Sequence, residues 1–176
     1  MTGGALDIAA GPVRLRRMRA ADAADLCRIV TIPQVGRMLF LFPADWTVAA
    51  ARAFIERWDY RGALPFRLAI SACDGRFLGS VGVSRGDEPE VFYFLDPAAA
   101  GRGVMTAAMG SFVAFLFARF PVAALRADVF TDNPGSARIL SRLGFARAGE
   151  GIGTSAQRLE PAPVWKYRLS REAFGA

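Results

Sequence analysis

A continuous apolar run, Val91–Leu95, is stopped by Asp96-Pro97, passes through three alanines to Gly101-Arg102-Gly103, and enters a long apolar helical pattern from about Val104. This order of strand, glycine loop and helix constrains the fold more than any other part of the chain. A strand that is apolar at every position is buried on both faces, so layers must cover it on two sides. The helix that follows begins with amides that have no partner inside the helix and carry partial positive charge. Gly101 and Gly103, lacking side chains, allow a phosphate or pyrophosphate to approach those amides closely. Two readings stand at this point: a tight turn and nothing more, or an anion site at the head of a helix.

The flanking sequence supplies the rest of a layered α+β domain. Val13–Met18 alternates apolar and basic residues and reads as a half-buried strand. Asp22 and Asp25 introduce a short helix carrying Leu26, Ile29 and Val30, which ends before Pro33. Thr47 is a good N-cap for a second helix, with Ala51, Phe54, Ile55 and Trp58 on one face. Phe66–Ala72 and Arg76–Ser84 read as strands joined at Cys73-Asp74-Gly75, where Asp-Gly predicts a hairpin. Leu125–Phe130 is a further strand. Asn133 then suits an N-cap, Pro134 the first helical position and Gly144 the left-handed residue after the helix. Two more strands are expected near Ala146–Glu150 and Val164–Leu169. Gly110, in the middle of the long apolar helix, costs about 1 kcal/mol relative to alanine and predicts close packing against another backbone.

Composition narrows the chemistry. With 176 residues, 53% of them hydrophobic, the chain suits one domain over 13–176 preceded by a loose leader over 1–12. That leader lacks the basic start and apolar core of a signal peptide. The formal charge of +6 favours an anionic ligand, but the arginines are scattered and do not form a stripe with interleaved aromatics, which argues against nucleic acid. The absence of histidine removes a Ser-His-Asp triad, a histidine base and most zinc sites, so no metal is expected. Cys27 and Cys73 are far apart and read as two buried thiols in a reducing, cytoplasmic setting. The apolar run Val104–Leu125 is interrupted by Arg119 and Pro121, so it reads as a core helix and not as a membrane span.

FYFLDPAAAGRGVMTAAM, from Phe92 to Met109, and VFTDNPGSARILSRLGF, from Val129 to Phe145, together resemble the GNAT-type N-acetyltransferase superfamily, in the branch that holds the ribosomal-protein N-terminal acetyltransferases. VRLRRMRAADAADL near the start and VWKYRLSREAF at the end extend the likeness over nearly the whole chain. The resemblance implies a mixed, mainly antiparallel central sheet flanked by helices, with two central strands splayed apart to hold acetyl-CoA. The family signature Q/R-x-x-G-x-G/A reads Ala98-Ala99-Ala100-Gly101-Arg102-Gly103 here, so both glycines are kept and the polar first position is lost. A tyrosine common in the family's second motif is also missing, Ser141 standing in that run. Ser136, in the first turn of the helix, matches the serine that substitutes for it in this branch.

What the resemblance implies residue by residue is a direct attack of an amine on the thioester. Glu90 is the expected general base, Ser136 the partner of the departing thiolate, and Asn133 a contact to the pantetheine arm, with plain helix capping a compatible role. The backbone at Phe94 and Leu95 is the expected partner of the carbonyl. The pyrophosphate is assigned to the turn of Gly101, Arg102, Gly103, Val104, Met105 and Thr106. On the acceptor side, Met38, Leu39, Phe40, Phe42 and Trp46 form an aromatic wall that serves an apolar acceptor, core packing or a homodimer contact. Tyr93, on the same face as Val91, is assigned to the acceptor or to the core.

Two rival readings belong beside this one. A dinucleotide-binding fingerprint begins at Gly101-Arg102-Gly103 but fails at Thr106, and no Gly-Lys-Ser/Thr follows to make a P-loop. An acyl-CoA-binding sensor without catalysis is compatible with Ala98 and the missing tyrosine.

Overall fold

The computed structural model describes residues 6–175; Met1 to Ala5 and Ala176 lie outside the described residues. Five strands, β1 (Asp7–Ala10), β2 (Val13–Arg17), β3 (Phe66–Ser71), β4 (Phe77–Val83) and β5 (Val91–Leu95), form one antiparallel sheet in that order. Three more, β6 (Ala124–Phe130), β7 (Ala146–Gly153) and β8 (Ala162–Ser170), form a second antiparallel sheet with β8 in the middle. The expected leader over 1–12 is corrected at β1, which pairs residue for residue with β2 across a turn at Gly11, φ +59°. Short DIAA carries little alternation, and only the neighbouring strand's unpaired edge makes it a strand.

The Asp-Gly hairpin forms as its turn chemistry dictates. Gly75 sits at φ +88° and the Ala72 amide donates to the Arg76 carbonyl at 2.9 Å. The two sheets meet at a single parallel bridge, Glu90 with Arg126, after which β5 and β6 part. The splayed strands implied by the resemblance are therefore present, closed at Glu90 and open toward Leu95 and Phe130.

Helices cover the two faces. α1 (Ala23–Val30), the single-turn α2 (Pro33–Gly36) and α3 (Val48–Arg57) lie on one side, where Leu26, Ile29, Phe42, Ala51 and Ile55 pack on Ala69, Phe77 and Phe94. Thr47 caps α3 by accepting the Ala50 amide at 3.1 Å. α4 (Val104–Arg119) covers the other face, burying Val104, Met105, Ala108, Met109, Phe112, Val113, Leu116 and Phe117. Pairs spaced by four residues make that stripe, so the long apolar run is a core helix. Among the described residues no helix is long and apolar enough to cross a membrane.

α5 (Pro134–Arg142) begins at Asn133, whose side chain accepts the Ser136 amide at 3.1 Å, and ends at Gly144, φ +87°. A short α6 (Arg171–Gly175) closes the chain. A methyl at Gly110 would stand an ordinary 3.5 Å from the Leu143 side chain and meet no backbone of another element within 4 Å, which corrects the expectation of close packing against another backbone. Cys73 is exposed and Cys27 half-buried, both unpaired, so the thiols are free but not buried as expected.

The close backbone approach lies in β4 instead. A methyl at Gly79 would stand 2.2 Å from the Phe94 carbonyl oxygen of β5, and one at Gly82 would stand 2.3 Å from the Phe92 ring. Gly79→Ala must push β5 aside, so denaturant unfolding is expected to show a loss of about 1–3 kcal/mol. An unchanged midpoint would show that β5 yields freely at this point.

Candidate active site

The gap between β5 and β6 is the mouth of a cavity of about 560 Å³. Its walls come from β5, the loop after it, the head of α4, the middle of β6, α5 and the segment around α2. The volume lies within the range of small-molecule sites.

At one end the chain turns through Gly101, φ +78°, and Gly103, φ +73°, both left-handed positions that favour glycine. Among the described residues, none of the amides from Gly101 to Thr106 donates to another protein group; intrahelical bonding starts with the Ala107 amide on the Gly103 carbonyl, 3.0 Å. Gly101, Gly103, Val104, Met105 and Thr106 all line the cavity, whereas Arg102 is exposed and does not. The turn that the sequence marks for an anion thus borders the cavity through Gly101 and Gly103 to Thr106, without Arg102. Ala98 is exposed, its amide held by the Asp96 carboxylate at 2.9 Å.

Midway, Ser136 and Tyr93 meet. The Tyr93 hydroxyl lies 2.6 Å from Ser136 Oγ and 3.4 Å from its carbonyl oxygen. Burial pushes the phenol up to about 12, against the lowering effect of the Ser136 hydrogen bond. Asn133, Ser136 and Tyr93 all line the cavity; Ser141 is exposed and does not. A tyrosine of β5 thus stands against the first turn of α5.

Glu90, at the closed end, also lines the cavity, as does Asp128 of β6. Burial holds the Glu90 carboxyl above its usual range and the Asp128 charge adds to this, while Arg126 and Lys166 oppose it. Asp128 went unnoticed in the sequence, although alternation along β6 puts it opposite the buried Ala127 and Val129. Arg138 and Arg142 also line the cavity and were missed. Their spacing of four on α5, the helix that Ser136 opens, was the available signal.

The aromatic wall is divided. Met38, Leu39 and Phe40 line the cavity, Phe40 stacking on Phe130 at 4.9 Å. Phe42 and Trp46 do not. Phe42 is 2% exposed, with Trp46, Phe54 and Phe94 rings at 4.8, 5.3 and 6.1 Å. The chain folds back after Phe40, and Gln157 fixes the turn by donating to the Val30 and Phe42 carbonyls, both at 2.8 Å. The expectation that Phe42 and Trp46 face an acceptor is therefore corrected to core packing.

Phe92 lines the cavity and stacks below the buried Arg67 guanidinium, 4.0 Å from its ring centre. Among the described residues Arg67 has no carboxylate partner; Phe54 and Trp58 stand within 5.3 and 5.4 Å, and burial drives it down to about 9. Ring faces supply the compensating negative potential.

The model of the acetyltransferase (GNAT) domain matches residues 13–146 of this chain. The chain belongs to the GNAT acetyltransferase family. Among GNAT relatives, a probable N-acetyltransferase of Bacillus subtilis, YjcK, is 36% identical over 85 residues, 46% of this chain and 47% of that protein, so the match spans about half of that relative. Mycobacterium smegmatis RimJ, solved in complex with CoA-disulfide, superposes with a TM-score of 0.81 at 21% identity, covering 98% of this chain and 88% of that one. The ribosomal-protein-S5-alanine acetyltransferase of Vibrio fischeri gives 0.79 at 16% identity, covering 95% and 97%. These two likenesses establish the GNAT fold.

A carboxyl held above its usual range contributes stability that is fully present below 4.5 and lost as pH rises through its folded value. Glu90→Gln, which has no such charge, should therefore gain in stability over the parent between about pH 4 and about pH 7. Thermal unfolding at both pH values measures it; a gap that does not widen with pH would contradict the burial assigned to Glu90.

Proposed function

We propose that this chain transfers the acetyl group of acetyl-CoA directly to a primary amine, on a protein or peptide N-terminus or on a small molecule. The observation that carries the reading is the run of amides from Gly101 to Thr106 that have no protein partner among the described residues, in a turn whose Gly101 and Gly103 to Thr106 line a cavity between two strands that have stopped pairing. A diphosphate fits such a row, because the donors need no desolvated counter-charge and the helix dipole adds to them. Arg138 and Arg142 add positive charge for the phosphates. Past the bridge at Glu90, the outer edge of β5 has no strand beside it and offers main-chain groups to the pantetheine arm and the thioester carbonyl.

The chemistry then runs across the cavity. The amine nitrogen attacks the carbonyl carbon, the C–N bond forms, and the C–S bond breaks with its electron pair moving to sulfur. Glu90 takes the proton that the nitrogen loses, directly or through water, and passes it to solvent. Sulfur leaves beside the Ser136 hydroxyl at the head of α5, where a hydrogen bond and the helix dipole favour the thiolate until it is protonated. Met38, Leu39 and Phe40 form the apolar part of the acceptor side. Free thiols at Cys27 and Cys73 suit a reducing compartment such as the cytoplasm.

Acetyl-CoA should raise the melting temperature while NAD and GTP leave it unchanged. Equal shifts for all three, or none, would contradict the assignment. Thiol release from acetyl-CoA with a panel of amines and N-terminal peptides, read with mass spectrometry of the products, tests transfer itself. Stabilisation without thiol release by any acceptor would favour a sensor. With the best acceptor, kcat/KM should rise with pH through a value above 4.5, because burial raises Glu90 and only its carboxylate takes a proton. Glu90→Gln removes that limb. Ser136→Ala is expected to lower kcat roughly 100-fold with little change in acetyl-CoA affinity; loss of affinity with kcat intact would show that its role was misassigned.

A further inference from the structure

We propose that Tyr93 is the positioning residue of the thiolate site, donating its phenolic hydrogen to Ser136 Oγ so that the serine's own hydrogen points at the sulfur of coenzyme A. The inference rests on the reading of Ser136 above and adds a residue and a direction to it. Tyr93 comes from β5 and Ser136 from α5, so the contact ties the two sides of the cleft together behind the place where the thioester must lie.

Either hydroxyl can donate in this contact, and the proposal assigns the donor from relative acidity. A phenol is a stronger acid than an aliphatic alcohol, so in a 2.6 Å contact the phenol is the better donor. The Ser136 carbonyl, at 3.4 Å, is the only other acceptor within reach of that hydroxyl among the described residues. Once Oγ accepts from Tyr93, its remaining hydrogen has no protein acceptor among the described residues and is directed into the cavity that both side chains line. Asn133 completes the arrangement, since its side chain holds the Ser136 amide at 3.1 Å and fixes the serine's backbone. Tyr93 keeps its proton throughout, in keeping with a phenol that burial has pushed up to about 12. No bond to Tyr93 is made or broken, and the proton that sulfur finally gains comes through Ser136 from solvent.

The thiol of bound coenzyme A reads this arrangement without any acceptor. Its ionisation is followed by ultraviolet thiolate absorbance as pH is varied, with free coenzyme A bound to the parent, Tyr93→Phe, Ser136→Ala and the double variant. The parent should lower the pKa of the bound thiol, and each single variant should raise it again by about one unit. The double variant should match Ser136→Ala, because Tyr93 acts only through that hydroxyl. Ser136→Thr, which keeps a hydroxyl, should retain the sensitivity to Tyr93→Phe. Shifts that add in the double variant, or a Tyr93→Phe shift of the same size in the Ser136→Ala background, would overturn the proposal. A thiol unaffected by Ser136→Ala would instead overturn the serine's role, and with it the premise. Rates with the best amine give a second readout: Tyr93→Phe should lower kcat about tenfold with KM for acetyl-CoA unchanged, and the loss should vanish in the Ser136→Ala background.

Discussion

The structure depends on a pairing that is not made. β5 and β6 run parallel and touch at one bridge, Glu90 with Arg126, and then diverge, so that each belongs to its own antiparallel sheet. An unpaired strand edge inside a domain leaves main-chain donors and acceptors without partners, which costs free energy unless water or a ligand supplies them. Here the fold keeps that edge open and surrounds it with the head of α4, the head of α5 and the Met38 to Phe40 segment. The hydroxyl contact between Tyr93 and Ser136 links the two sides where no ladder does.

The same split sorts the chemistry by position. At one end the amides from Gly101 to Thr106 have no protein partner among the described residues, and their partial positive charge comes from geometry, with Arg138 and Arg142 on the same cavity wall. The closed end holds Glu90 with Asp128 near it, and burial together with the Asp128 charge holds the Glu90 carboxyl above its usual range. Between them Ser136 stands at a helix terminus. Gly79 and Gly82 in β4 let β5 lie close enough to hold this order, since any side chain at Gly79 would strike the Phe94 carbonyl.

Much of this was legible in the sequence where the signal was local. Thr47, Asn133, Pro134 and Gly144 marked helix ends through capping and turn chemistry, and each serves as expected. Gly101 and Gly103 marked the turn through their missing side chains, and the structure adds that both take a left-handed backbone. What was not legible depends on contacts between distant residues. Tyr93 and Ser136 stand 43 positions apart, and nothing near either one announces the other. Phe42 and Trp46 differ from Phe40 only in which way the chain folds after α2, a direction set by Gln157 from far downstream. Arg67 reads as an ordinary basic residue in a strand, yet an aromatic cage buries it. β1 has too little pattern of its own and exists because β2 offers an edge.

The central claim is that the main-chain donors at the head of α4 hold the diphosphate of coenzyme A while its thiol end lies in the gap between β5 and β6. Amide chemical shifts in a nitrogen-15 labelled sample test it most directly, with coenzyme A and pantetheine as the two probes. Coenzyme A should move the amides from Gly101 to Thr106 and those of β5, and pantetheine, which lacks the diphosphate, should leave the first group where it was. Equal movement of the α4 amides with both probes, or none with coenzyme A, would contradict the account.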